Sequence, residues 1–411
     1  MAVPFEPRRI ALFCHRLDSR AIARVCAVVA GELARLGRET SLVVTGVAGE
    51  HVPVSPAVEV VDLAAPVDKS AAAVPALARW LRRARPDVLF AQHNGPNRAA
   101  VLARALARSP AALVLVEQNH YSSYISPSGG GWRHRRLRDR MTAFLYPRAD
   151  RVAGVAPEIL DDLADRFPAT RDKLALLPNP GPDPARVAEL AAAAPDHAWL
   201  VEPRAWRVVT SVANVIPRKG QDVLIEAWPE VRRRAGDVRL VLVGRHDNLL
   251  YLATLQRRAR ELGIDDDVAF VGYRENPLPF IARADAFALA SRNEGAPLVL
   301  LEAMACAVPI VATDCLSGPA YLLEGGRAGG LVPVDDVRAL AAALADSLLD
   351  TVGAARKVAA GRRRAAEFSP RRVAEAYLAL GARCGMERGL TGAGPSTPRV
   401  RVTDASRHRG A

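Results

Sequence analysis

Short, almost wholly apolar runs recur along this chain, each followed by a stretch of helical periodicity. That alternation fixes the fold class. Ile10 to His15 reads as a buried strand and Thr40 to Thr45 as the next. Between them Arg20 to Leu36 has apolar residues at Ile22, Val25, Cys26, Val29, Leu33 and Leu36, the spacing of one helix face. Gly37 is placed to end that helix in the left-handed conformation. Strand, helix, strand is the unit of a parallel, doubly wound α/β sheet. The pattern continues through strands at Val88–Gln92, Ala112–Glu117, Arg151–Val155 and Leu174–Leu177. Pro178-Asn179-Pro180-Gly181-Pro182 then breaks all regular structure. Beyond it the pattern restarts, with strands at Val208–Val212, Val238–Val243, Val268–Gly272, Asp285–Leu289, Pro309–Thr313 and Ala328–Val332. Helices at Val337–Leu349, Ala354–Phe368 and Pro370–Cys384 finish the chain's ordered part. Its 411 residues suffice for two such domains, each with its own core.

Composition narrows the setting. No apolar run reaches the roughly 18 residues that span a bilayer, and the N-terminus has no cleavage-site pattern, so no signal peptide is expected. Cys14, Cys26, Cys306, Cys315 and Cys384 are scattered without CxxC spacing, which argues against a disulfide framework or zinc site and for a reducing cytoplasm. The net charge of +12 comes almost entirely from arginine, since only Lys69, Lys173, Lys219 and Lys357 are lysines. Much of that is coding bias; the remainder suits polyanions, either anionic membrane or phosphorylated substrates. Nucleic acid is not expected, because the basic residues are not interleaved with aromatics.

The chemistry concentrates in ASRNEGAPLVLLEAMACAVPIVATDC, residues 290–315. Pro297 suits the first turn of a helix, so Glu294 to Ala296 reads as a loop and Pro297 to Ala305 as a helix. Glu294 then sits just outside a helix N-terminus whose free amides favour anions, and Glu302 about a turn and a half inside. Carboxylates beside an anion site suit a ligand carrying both phosphates and hydroxyls. Glu294, seven residues, Glu302, with the flanking small residues and the A-x-P-I-V-A-T strand, resembles the E-x7-E signature of retaining, Leloir-type GT-B glycosyltransferases of family 4 (glycosyl transferases group 1).

That resemblance implies two Rossmann-like domains facing a central cleft: residues 1–180 for the acceptor, 181–368 for the nucleotide sugar, a closing helix at 369–385 bracing the first domain, and a disordered basic tail over 386–411. It implies transfer of a sugar from a nucleoside diphosphate sugar to a hydroxyl of a glycan or lipid-linked acceptor, with no metal and no cofactor. Glu294 would hold the sugar's hydroxyls and Glu302 the ribose. P-R-K-G at 217–220 looks like the family's R-x-x-x-K-G element in shortened spacing, so Arg218 and Lys219 would neutralise the diphosphate. Gly295, Ala296, Pro297 and Leu298 would add the helix amides. Tyr273 and Arg274 would flank the base. His120 matches a family histidine that reaches the donor sugar.

The first half departs from the family pattern. The loop His15-Arg16-Leu17-Asp18-Ser19-Arg20 lacks the usual Gly-Gly pair, so Arg16 or Arg20 would do phosphate work by charge, or the loop is an acceptor wall. His93 and Asn94 are acceptor-side candidates, or ordinary turn and cap residues. Ser128 to Gly131 reads as a flexible loop. Trp132 to Arg140 is a basic helix that either lies on anionic membrane, giving a cytoplasmic protein peripheral at the inner face, or is a solvated helix. Two other functions stay open: a non-catalytic nucleotide-sugar or glycan-binding protein, and a GT-B nucleotide-sugar epimerase.

Overall fold

The computed structural model describes residues 5–18, 21–47, 49, 51–65, 70–124 and 132–390. Arg20, Ser128 to Gly131 and the tail beyond 390 lie outside them, as do the side chains of Trp132 to His134.

Thirteen strands form two all-parallel sheets among the described residues. The first contains β1 (Arg9–Leu17), β2 (Glu39–Val47), β3 (Glu59–Asp62), β4 (Val88–Gln92), β5 (Ala112–Glu117), β6 (Arg151–Gly154) and β7 (Leu174–Leu176), ordered β3-β2-β1-β4-β5-β6-β7. The second contains β8 (Arg207–Val212), β9 (Val238–Val243), β10 (Val268–Gly272), β11 (Ala286–Leu289), β12 (Ile310–Thr313) and β13 (Gly330–Val332), ordered β10-β9-β8-β11-β12-β13. The strand order reverses between β1 and β4 in one sheet and between β8 and β11 in the other. Loops leaving those four strand ends line the crevice where such sheets bind ligands.

The central strands are buried on both faces, as β4 and β5 are over their whole length, which is why they read as unbroken apolar runs. β3 escaped the sequence reading because it is a mostly exposed edge strand, EVVD. The helix Leu249–Glu261 escaped it because only Leu255 and Ala259 are buried, too few for a stripe. Asn94-Gly95-Pro96 forms the first turn of a helix over Asn94–Ala107. Pro297 is a correction too: its backbone is extended (φ −68°, ψ 108°), so it caps a helix that begins at Leu298. Gly37 does end the helix Ala21–Arg35 with φ 78°, as its position predicts.

The C-terminal helix Pro370–Glu387 leaves the second sheet and buries Val373, Ala374, Tyr377, Leu380 and Cys384 in the first domain's core. The two crossings meet where Gly181 N donates to the Phe368 carbonyl at 2.7 Å. No helix among the described residues is long and apolar enough to cross a membrane.

Candidate active site

On the second domain, the loops after β8 and β11 are pressed together by a glycine. A Cβ on Gly220 would stand 1.9 Å from the Ala290 carbonyl oxygen, and Gly220 has φ 67°, so only glycine fits. The contact carries the preceding turn, Pro217–Lys219, against the end of β11. Lys219 Nζ there forms an ion pair with Glu294, which is 6% exposed and also accepts from Ser291 Oγ at 2.6 Å. Arg218 donates to the Asn293 carbonyl at 2.7 Å and lies 3.9 Å from the second Glu294 oxygen. Ser317 Oγ fixes the Glu294 carbonyl at 2.7 Å. A buried carboxylate is thus held in place by a hydroxyl and a lysine, with an arginine at its edge. Such a group accepts hydroxyl hydrogen bonds while the two cations stand ready for a polyanion. Burial pushes the neighbouring Cys315 thiol up to about 12, with the Glu294 charge adding, so it is no nucleophile.

The next residues face the first domain. A Cβ on Gly295 would lie 1.9 Å from the Gln118 carbonyl oxygen and 3.3 Å from Asn119 Cα. Ala296 and Leu298 pack against the first domain's core. Glu302, buried on the helix Leu298–Ala305, pairs across the cleft with Arg24 at 3.0 Å. Glu294 and His120 therefore flank one interdomain contact, each a single residue from it.

On the first domain, His120 Nδ1 lies 3.5 Å from Asp162, whose carboxylate accepts from Ser122 N at 3.0 Å. At the β1 and β4 ends, His15 Nδ1 is 3.0 Å from Thr45 Oγ1. Burial drives His93 down to about 4, with the His15 and Arg98 charges adding, so it is neutral at physiological pH. His93 takes φ 79° as the cap of Asn94–Ala107. Asn94 is buried and accepts from Arg98. Arg16 Nε is buried with no hydrogen-bond partner among the described residues.

Two family models match, "Glycosyltransferase Family 4" over residues 22–181 and "Glycosyl transferases group 1" over 207–350, one on each domain. The chain belongs to the group 1, family 4 glycosyltransferases. A GDP-mannose-dependent alpha-(1-6)-phosphatidylinositol monomannoside mannosyltransferase of Mycolicibacterium smegmatis is 43% identical over 164 residues, 38% of this chain and 42% of that protein. The match thus spans about two-fifths of that relative's length. An N-acetylgalactosaminyltransferase of Campylobacter jejuni acting on a diphospho-undecaprenol glycan is 26% identical over 64% of this chain and 67% of its own. A glycosyltransferase structure from Rickettsia africae superimposes with TM-score 0.73 at 15% identity, covering 92% of this chain and 98% of its own. The fold is GT-B.

In this family 4 chain, the structure joins Lys219, Arg218 and Glu294 in one cluster and sets Gly295, Ala296, Leu298 and Glu302 against the opposite domain. Tyr273 and Arg274 stand at the β10 end, away from that cluster's ion pairs. Tyr273 is stacked under the Arg245 guanidinium at 4.1 Å. Arg274 is held by Asp196 at 2.8 Å and by the Val271 carbonyl at 2.6 Å. His246, whose Nδ1 is buried without a hydrogen bond among the described residues, borders Gly272. Arg245 and His246 follow β9, at the strand end that the family resemblance sets beside the base together with that of β10. Arg24 and Glu117 carried no signal: their importance depends on partners far away in the chain.

Proposed function

We propose that this protein is a retaining glycosyltransferase that moves a hexose or N-acetylhexosamine from a nucleoside diphosphate sugar to a hydroxyl of a glycan or lipid-linked acceptor, in cell-surface polysaccharide or glycolipid biosynthesis. The observation that supports this best is the buried Glu294 carboxylate paired with Lys219 between the β8 and β11 loops. Lys219 and Arg218 take the diphosphate, and Glu294, released from part of its ion pair, accepts from the sugar's hydroxyls. Glu302 holds the ribose, and Tyr273, Arg274 and their neighbours border the base. His120 reaches the sugar from the first domain. The leaving phosphate takes the proton of the attacking acceptor hydroxyl on the same face, its charge stabilised by the two cations without a metal. The mannosyltransferase names among the relatives put GDP-mannose first among donors to try.

The helix Trp132–Leu145 exposes Leu137, Met141 and Phe144 beside Arg135, Arg136 and Arg140. That combination suits the anionic inner face of a membrane, where a lipid-linked acceptor would be met. Co-sedimentation with phosphatidylglycerol vesicles but not phosphatidylcholine vesicles tests it.

The activity is tested by nucleotide release across UDP-, GDP- and ADP-sugars, with Glu294→Gln alongside. One donor should be slowly hydrolysed, and the variant should be slower by about a hundredfold or more. A donor that binds and is never cleaved, even with membrane extract as the acceptor source, would make this a binding protein; an epimerised sugar nucleotide would make it an epimerase.

A further inference from the structure

Glu302 is the proposed ribose ligand, yet its partner belongs to the other domain. Arg24, in the first turn of the helix Ala21–Arg35, brings Nη1 to 3.0 Å from Glu302 Oε1. The two side chains differ in setting: Arg24 is 43% exposed, Glu302 10%. The carboxylate is the more buried member, and among the described residues no second cation pairs with it. Neither of its oxygens accepts a hydrogen bond from a described residue, so its acceptor capacity is unfilled while its charge is balanced.

We infer that Arg24 is a positioning residue for the donor: it holds one oxygen of Glu302 by charge and leaves the carboxylate's hydrogen-bonding capacity for the vicinal hydroxyls of the ribose. This rests on the proposed glycosyltransferase function. A carboxylate on three rotatable bonds loses orientation when unpaired, and a fixed counter-charge removes that freedom before the ligand arrives. Two hydroxyls of a ribose are matched donors for such a group. Because Arg24 and Glu302 sit on facing domains, the same ion pair links nucleotide binding to cleft closure. A nucleotide that orders Glu302 favours the closed arrangement, and closure favours the nucleotide by the same factor.

The test is calorimetric binding of GDP and UDP, each beside its 2′,3′-dideoxy counterpart, to wild type, Arg24→Ala and Arg24→Lys. The wild type should bind one ribonucleotide about tenfold or more tighter than its dideoxy form. Arg24→Ala should lose about tenfold of ribonucleotide affinity and leave dideoxy affinity unchanged, so the preference collapses. Arg24→Lys should recover part of it. A merely structural role would weaken all ligands together and leave the preference intact. An Arg24→Ala protein that keeps the wild-type preference overturns the inference alone. One that binds the ribonucleotide more tightly also overturns it, by making Arg24 a competitor of the ribose. A wild type that binds none of the four probes removes the glycosyltransferase function, and the inference with it.

Discussion

Glu294 and Glu117 are both buried carboxylates, but different donors face them. Glu294 has Lys219 and Arg218 beside it. Glu117, at the end of β5, accepts from Asn97 Nδ2 at 2.8 Å and from the Tyr146 hydroxyl, both neutral donors. Burial outweighs them and pushes Glu117 up to about 7. A carboxyl raised from 4.5 favours its protonated form in the fold, so its contribution to stability is present below pH 4.5 and fades as pH rises through 7. The loss approaches roughly 3 kcal/mol on full deprotonation. His93 works the other way, costing stability as pH falls from 6.5 towards about 4. Glu117→Gln keeps an oxygen for Asn97 and Tyr146 and leaves His93 alone. Its melting temperature should therefore match wild type near pH 4.5 and exceed it at pH 8. Parallel wild-type and variant melting curves across that range would show that burial of Glu117 has no such effect. Glu294 was legible from the sequence because its chemistry is written locally, in a loop between a strand and a helix. Glu117 was not, since a glutamate ending a strand looks the same whether or not a tyrosine 29 residues on covers it.

Among elements, the strands that were read well are those buried on both faces, because their sequence alone carries the apolar run. Edge strand β3 and the sparsely buried helix Leu249–Glu261 show where that signal stops. Pro297 shows a finer limit: proline fixes φ but leaves ψ free, so it suits both a helix's first turn and its cap. The interdomain fit of the stretch 294–298 was also invisible, since Gly295 looks like a loop glycine until Gln118 is placed 1.9 Å from its missing Cβ. Gly295→Ala should drive the helix Leu298–Ala305 away from the first domain by about an ångström, because the obstructing atom is backbone. Displacement on that scale costs about a hundredfold in rate where reacting groups come from both sides. Nucleotide release should fall accordingly while each domain stays folded by circular dichroism. Unchanged turnover would mean that the cleft works in a more open arrangement than this one.

At the scale of the molecule, the domains are tied by a line of buried amides. Asn179, in the first crossing, donates to Gln118 at 2.8 Å; Gln118 donates to Gln92 at 2.9 Å; Gln92 donates to the Tyr377 hydroxyl at 3.0 Å. Tyr377 sits on the C-terminal helix, so the line starts where the chain leaves the first domain and ends where it returns. Gln118 also carries the carbonyl that meets Gly295. The line thus connects crossing, brace and cleft through groups that have no water to fall back on. Tyr377→Phe keeps the ring and its packing on Phe90, 4.8 Å between centroids, and removes only the acceptor. The Gln92 Nε2–H is then buried without an acceptor, while its oxygen still accepts from Gln118, at a cost of about 1–3 kcal/mol. If the line holds the crossing, that cost should appear as a lower unfolding midpoint in urea together with faster proteolysis between residues 177 and 183. A lower midpoint with unchanged cleavage would confine the effect to the first domain's core. Unchanged values for both would mean that packing of the C-terminal helix, with Val373, Leu380 and Cys384 in the core, holds the domains without the amides.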